Sequence, residues 1–116
     1  MTSSCGALGD SATGPILALT TEADAERAEA LARVLLDRRL AACVALSPHT
    51  ALYHWQGQLE RSAEVKLLIK TSAAQLPELE RVVHALHSYA TPLWLHWPVS
   101  AGEAYGTWLA AELAGG

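Results

Sequence analysis

Residues 42–71 read ACVALSPHTALYHWQGQLERSAEVKLLIKT, and the rest of the chain can be arranged around them. Two runs rich in Val, Leu, Ile and Tyr flank Gln56-Gly57-Gln58, a turn signal, so the stretch is expected to fold back on itself as a long β-hairpin. In the first arm, which the pattern starts at Leu40, Ser47-Pro48 is expected to interrupt and bend the strand, because proline removes a ladder donor. The arm then resumes through Tyr53, His54 and Trp55. In the return arm, Leu59 to Ser62 is polar and Val65 to Thr71 is strongly apolar.

Upstream, Pro15 to Leu19 is a short apolar run ending in Thr20-Thr21, a first strand. A helix is expected to start at Thr21 or Glu22, with Asp24 completing a capping box. Ala28, Leu31, Ala32, Leu35 and Leu36 form one apolar stripe at helical spacing, and Arg38-Arg39 close the helix where cations suit its dipole. Downstream, Ser72 and Gln75 form a second capping pattern. Leu76, Leu79, Val83 and Leu86 then mark an amphipathic helix with Pro77 in its first turn. Leu93 to Val99 is a fourth strand, apolar on both faces apart from His96. Gly102 leads into a last helix with Tyr105, Trp108, Leu109 and Leu113 on one side. The order βαββαβ plus a helix is an α+β, ferredoxin-like sandwich with helices on one sheet face. Because the third and fourth strands are apolar on both faces, the other face needs a cover, and self-association is the simplest one.

The chain has 116 residues and a formal net charge of -4, which fits one domain, expected at residues 15–114 after a flexible tail at 1–14. It has four Trp and no Phe, and each indole N–H wants a partner. No basic stripe is present, which disfavours nucleic acid. No apolar run is long enough to span a membrane. The tail lacks the basic start and apolar core of a signal peptide, and Cys5 and Cys43 make no disulfide framework. That cysteine usage fits a reducing cytoplasm. The absence of a Ser-His-Asp set, a glycine-rich phosphate loop or paired catalytic carboxylates argues against an enzyme.

Cys43 has two readings, a soft metal ligand or a small core residue. His87, just after the second helix, is a metal ligand through neutral imidazole or a helix-end residue bonding a last carbonyl. His84 is three residues earlier on the same helix. No H-x-H, C-x-x-C or H-E-x-x-H spacing exists, so a preformed cage within one chain is not expected. Glu64, Lys66 and Lys70 share one face of the third strand by parity. That charged face suggests a cleft, an anion or carboxylate ligand, or an inter-subunit ion pair.

The ordered set Ala41-Ala42-Cys43-Val44, Tyr53-His54-Trp55-Gln56-Gly57, Glu64, Leu68-Ile69-Lys70-Thr71, His87-Ser88-Tyr89 with Thr91-Pro92, Trp97-Pro98-Val99, Tyr105 and Trp108 resembles the CutA divalent-cation-tolerance family. The resemblance runs from about Ile16 to Leu113. It implies a cytoplasmic homotrimer similar in plan to PII signalling proteins, with hairpins reaching across to neighbours and small-ligand clefts between subunits. On that plan Trp55, Glu64, Lys70, Tyr89 and Trp108 are candidate cleft residues, and His87 and Cys43 are candidate metal residues. The chain departs from the family pattern at Ala45, Ser88, Ala90 and Leu93. Leu19 and Leu86 stand where copper-binding members can offer Cys and His. The expectation is therefore a PII-like protein that senses or carries a small ligand. It requires no cofactor and binds Cu or another divalent cation weakly at most. A copper-binding role in metal homeostasis and a purely structural module are the alternatives.

Overall fold

Residues 14–115 are described by the computed structural model; the expected tail, with Cys5, lies outside them apart from Gly14. Along these residues run β1 (Pro15–Glu22), α1 (Ala25–Asp37), β2 (Cys43–Trp55), β3 (Gln58–Ser72), α2 (Leu76–Leu86), β4 (Leu95–Pro98) and α3 (Glu103–Leu113). The strands form one antiparallel sheet in the order β2-β3-β1-β4. This is the expected α+β, ferredoxin-like arrangement.

Strand alternation divides the sheet into two faces. Ile16, Ala18 and Thr20 of β1 lie opposite Thr71, Ile69 and Leu67 of β3, and all six are buried. Against this face pack Ala28, Leu31, Ala32 and Leu35 of α1 with Leu79, Val82 and Val83 of α2. The alternate residues Leu17, Leu19, Leu68 and Lys70 belong to the second face. Cys43 and Ala45 of β2 and Leu95 and Trp97 of β4 join them there by register. Leu95 and Trp97 are 52% and 39% exposed, so this second face is an apolar surface still open at the β4 edge.

The hairpin differs from expectation in one respect: its ladder is unbroken. Pairing runs from Cys43–Lys70 to Trp55–Gln58, with Pro48 opposite Val65 and the polar Leu59–Ser62 segment fully in register. The expected interruption at Ser47-Pro48 is absent because β2 is an edge strand, where only one side must be hydrogen-bonded. Gln56 and Gly57 have φ of 52° and 80°, the two left-handed residues of a type I′ turn, whose twist matches that of the arms. The molecule is 48 Å along its longest axis. Leu52, Tyr53, Trp55 and Leu59 near the hairpin's end are exposed.

Several boundaries move for local reasons. Thr21 and Glu22 do not start α1; they are held in β1 opposite Lys66 and Val65. The cap is Asp24, whose Oδ1 accepts the Arg27 N–H at 2.8 Å. After Asp37 the chain turns through Arg39 at φ 58°. Leu40 N–H reaches Leu35 O at 2.9 Å and Arg39 N–H reaches Leu36 O at 3.1 Å, a Schellman motif without its usual glycine. Leu40 and Ala41 are buried but precede β2. Gln75, not Ser72, is the cap residue of α2, and its side chain caps no backbone N–H. β4 spans Leu95–Pro98 rather than 93–99, and its pairing with β1 runs from Leu19–Leu95 to Ile16–Pro98. On α3, Leu109 and Leu113 are buried while Tyr105 and Trp108 are more than two-fifths exposed.

Candidate functional site

The end of β1 carries a shielded polar network. Glu22 is 1% exposed. Its Oε1 accepts the Ala23 N–H at 2.9 Å and its Oε2 accepts the Ser88 N–H at 3.0 Å. Burial alone would raise this carboxyl's pKa. The N–H groups of Ala23 and Ser88 and the Ser88 hydroxyl outweigh burial and hold it below 4.5. His87 ends α2, and its side chain is wholly buried. Its Nδ1 accepts the Tyr89 N–H at 3.0 Å. By elimination its Nε2 carries the proton and donates to the Thr21 carbonyl. Both ring nitrogens are thereby engaged within the chain.

Tyr89 extends this network onto the second sheet face. Its hydroxyl donates to Glu64 Oε2 at 3.3 Å, and His49 Nε2 lies 3.2 Å from Glu64 Oε1. Burial, then the Glu64 carboxylate, pushes the Tyr89 phenol above 10.0. Tyr89 also packs against the His87 ring at 5.0 Å between centroids.

At the other end of the same face, Lys70 Nζ donates to Cys43 Sγ at 3.5 Å across the β2–β3 ladder. Here a pocket of about 330 Å³ opens between α3 and the sheet. Ile16, Leu17, Val99, Tyr105, Leu109 and Lys70 contribute to its walls. Tyr105 and Trp108 lie 5.4 Å apart between ring centroids on α3.

The candidate cleft residues therefore fall into separate places within one chain. Glu64 and Tyr89 touch. Lys70 lies six strand residues from Glu64, roughly 20 Å along β3. Trp55 stands at the turn, opposite Gln58, and Trp108 lies on α3. The candidate metal residues are also apart: Cys43 pairs with Lys70, whereas His87 bonds Thr21, which pairs with Lys66. Four strand residues, roughly 13 Å, separate those two positions. Among the described residues no group of three His, Cys, Asp or Glu side chains is placed to hold a metal ion. Both ring nitrogens of His87 are already in hydrogen bonds within the chain. Sequence reading missed Glu22 and His49 as members of the network. The local pattern favours a helix start at Glu22, and its only other signal is an acid closing an apolar strand. His49 lacked any motif spacing.

Residues 16–112 match the family described as CutA1 divalent ion tolerance protein. The divalent-cation tolerance protein CutA of Pectobacterium atrosepticum is 43% identical over 100 residues, covering 84% of this chain and 91% of that protein. The crystal structure of CutA from Xylella fastidiosa superposes with a TM-score of 0.83 at 38% identity, covering 86% of this chain and 98% of that one. A structure from Archaeoglobus fulgidus, described as a periplasmic divalent cation tolerance protein CutA, gives a TM-score of 0.82 at 30% identity, covering 85% and 98% of the two chains.

Proposed function

The chain belongs to the CutA1 divalent ion tolerance family, and on that premise we propose that it works as a PII-like homotrimer that senses or carries a small ligand in clefts between subunits. The observation that carries this reading is the second sheet face. It presents Leu17, Leu19, Leu68, Leu95 and Trp97, and an apolar surface of this kind favours burial against another copy. Cleft residues that lie far apart in one chain would converge when the hairpin of one subunit meets the body of the next. The protein acts without catalysis and in the cytoplasm. Among the described residues no helix is long and apolar enough to cross a membrane.

Metal binding is weak on this reading, because His87 is committed to Thr21 and Tyr89 and Cys43 lies at the far end of the face. Two measurements test the proposal. Native mass spectrometry of freshly purified protein should show a trimer retaining a small molecule; a monomer, or an empty trimer, would count against it. Calorimetric titration with Cu(I) and Cu(II) should show only weak binding, unchanged by His87→Ala. That substitution should instead lower stability by about 2–4 kcal/mol, since it leaves buried backbone groups unpaired. Tight stoichiometric binding abolished by His87→Ala would favour a copper-binding role in metal homeostasis.

A further inference from the structure

We propose that the pocket between α3 and the Lys70 end of the sheet binds a small carboxylate with an apolar body, a proposal that rests on the small-ligand reading and names the chemistry of one part of its site. The pocket's volume of about 330 Å³ lies in the range of small-molecule sites, which are mainly apolar with a few placed polar groups. Its walls come from Ile16 and Leu17 of β1, Val99 beyond β4, and Tyr105 and Leu109 of α3. Lys70 is the one charged residue among those lining it.

The charge of Lys70 lacks a counter-ion within the described residues. Its hydrogen bond goes to Cys43 Sγ at 3.5 Å, and no carboxylate oxygen approaches it within the 4.0 Å of an ion pair. Its ladder neighbours are Leu17 on β1 and Cys43 on β2, neither of them an Asp or Glu. Lys70 is half-buried as a residue, and an ammonium beside apolar walls gains most from an anion that brings its own apolar body. The flexible four-carbon stem lets the ammonium swing from the thiol to a ligand without movement of the sheet. An amine would meet a like charge, and a neutral amide would forgo the charge-assisted bond.

Hexanoate and benzoate are the probes, with hexanamide, benzamide and hexylamine as comparisons. Calorimetry on the full-length protein should show each carboxylate binding about tenfold more tightly than its amide, with no detectable binding of the amine. Lys70→Met keeps the stem and should erase that preference while leaving amide binding intact. Val99→Trp, which fills the pocket, should weaken carboxylate and amide together. Circular dichroism of both variants establishes that they are folded. Equal binding of carboxylate and amide to the native protein overturns the assignment of charge and leaves the ligand reading standing. A retained molecule seen by native mass spectrometry that survives Val99→Trp overturns the assignment of place. If no probe binds and no molecule is retained, the small-ligand reading itself fails. If Lys70→Met instead dissociates the assembly without altering carboxylate binding, Lys70 is an inter-subunit ion-pair partner and the proposal falls.

Discussion

A carboxylate shielded from water is stable only where donors replace the lost hydration, and Glu22 meets that condition through two backbone N–H groups, one on each carboxylate oxygen. One belongs to its own chain neighbour and the other to Ser88, 66 residues away. Glu22 therefore pins the turn after α2 to the end of β1. Glu22→Gln keeps the shape but presents an amide to donors that need an acceptor, and should cost about 1–3 kcal/mol at pH 7 in urea denaturation. The folded-state carboxyl titrates below its ordinary value of 4.5. The charge of Glu22 thus contributes stability above that value, and the contribution is lost as pH falls through the lower folded one. The gap between native and Glu22→Gln midpoints should narrow over that range; a gap that stays constant would refute the role. None of this was legible in the sequence. Glu22 gains its meaning from Ser88 and His87, which only the tertiary fold brings near, and an Asp-Ala-Glu-Arg run just beyond it made a helix start the stronger local reading.

The elements themselves were more legible, because hydrophobic period and turn chemistry act locally. The stripe from Ala28 to Leu35 fixed α1, and Gln-Gly between two apolar runs fixed the turn. The errors came where a local preference met a ladder. Pro48 does not break β2, because an edge position tolerates it, and Thr21 is a good cap that is already committed to β1. The turn offers the cleanest test at this scale. Gly57 has φ of 80°, and a Cβ built there meets nothing within 4 Å. Gly57→Ala should therefore cost only backbone strain, about 1 kcal/mol, in thermal or urea denaturation. A loss several times larger would mean that another part of an assembly closes on the turn.

At the scale of the whole molecule, the sheet has one face closed by α1 and α2 and another whose apolar residues continue to the β4 edge. The sequence announced this imbalance through strands apolar on both sides. What covers the open face is not encoded in any one motif, because a cover from a second copy has no sequence of its own. Leu95 is about half exposed in the single chain, so Leu95→Asp should leave the subunit folded by circular dichroism. In the proposed trimer it would place an unpaired charge in an apolar contact and cost on the order of 2–4 kcal/mol of association. Sedimentation velocity over a dilution series should show dissociation of this variant at concentrations where the native protein holds together. Identical behaviour of the two would remove β4 from the interface.

The uninterrupted ladder from Trp55–Gln58 to Cys43–Lys70 also bears on the order in which the subunit forms. Its pairs close loops that grow outward from a two-residue turn, so each new pair adds little to the entropy of closure. The β1–β3 ladder pairs Glu22 with Val65 at its nearer end and Pro15 with Ser72 at its farther end, so its first pair must close a loop of about 40 residues. Hairpin zipping should therefore precede docking of β1, and the two sites tested above should report different sides of the folding barrier. In stopped-flow experiments Gly57→Ala should slow folding and leave unfolding nearly unchanged. Glu22→Gln should leave folding nearly unchanged and speed unfolding. On this ordering, the arm that reaches toward a neighbour takes shape before the body that carries it.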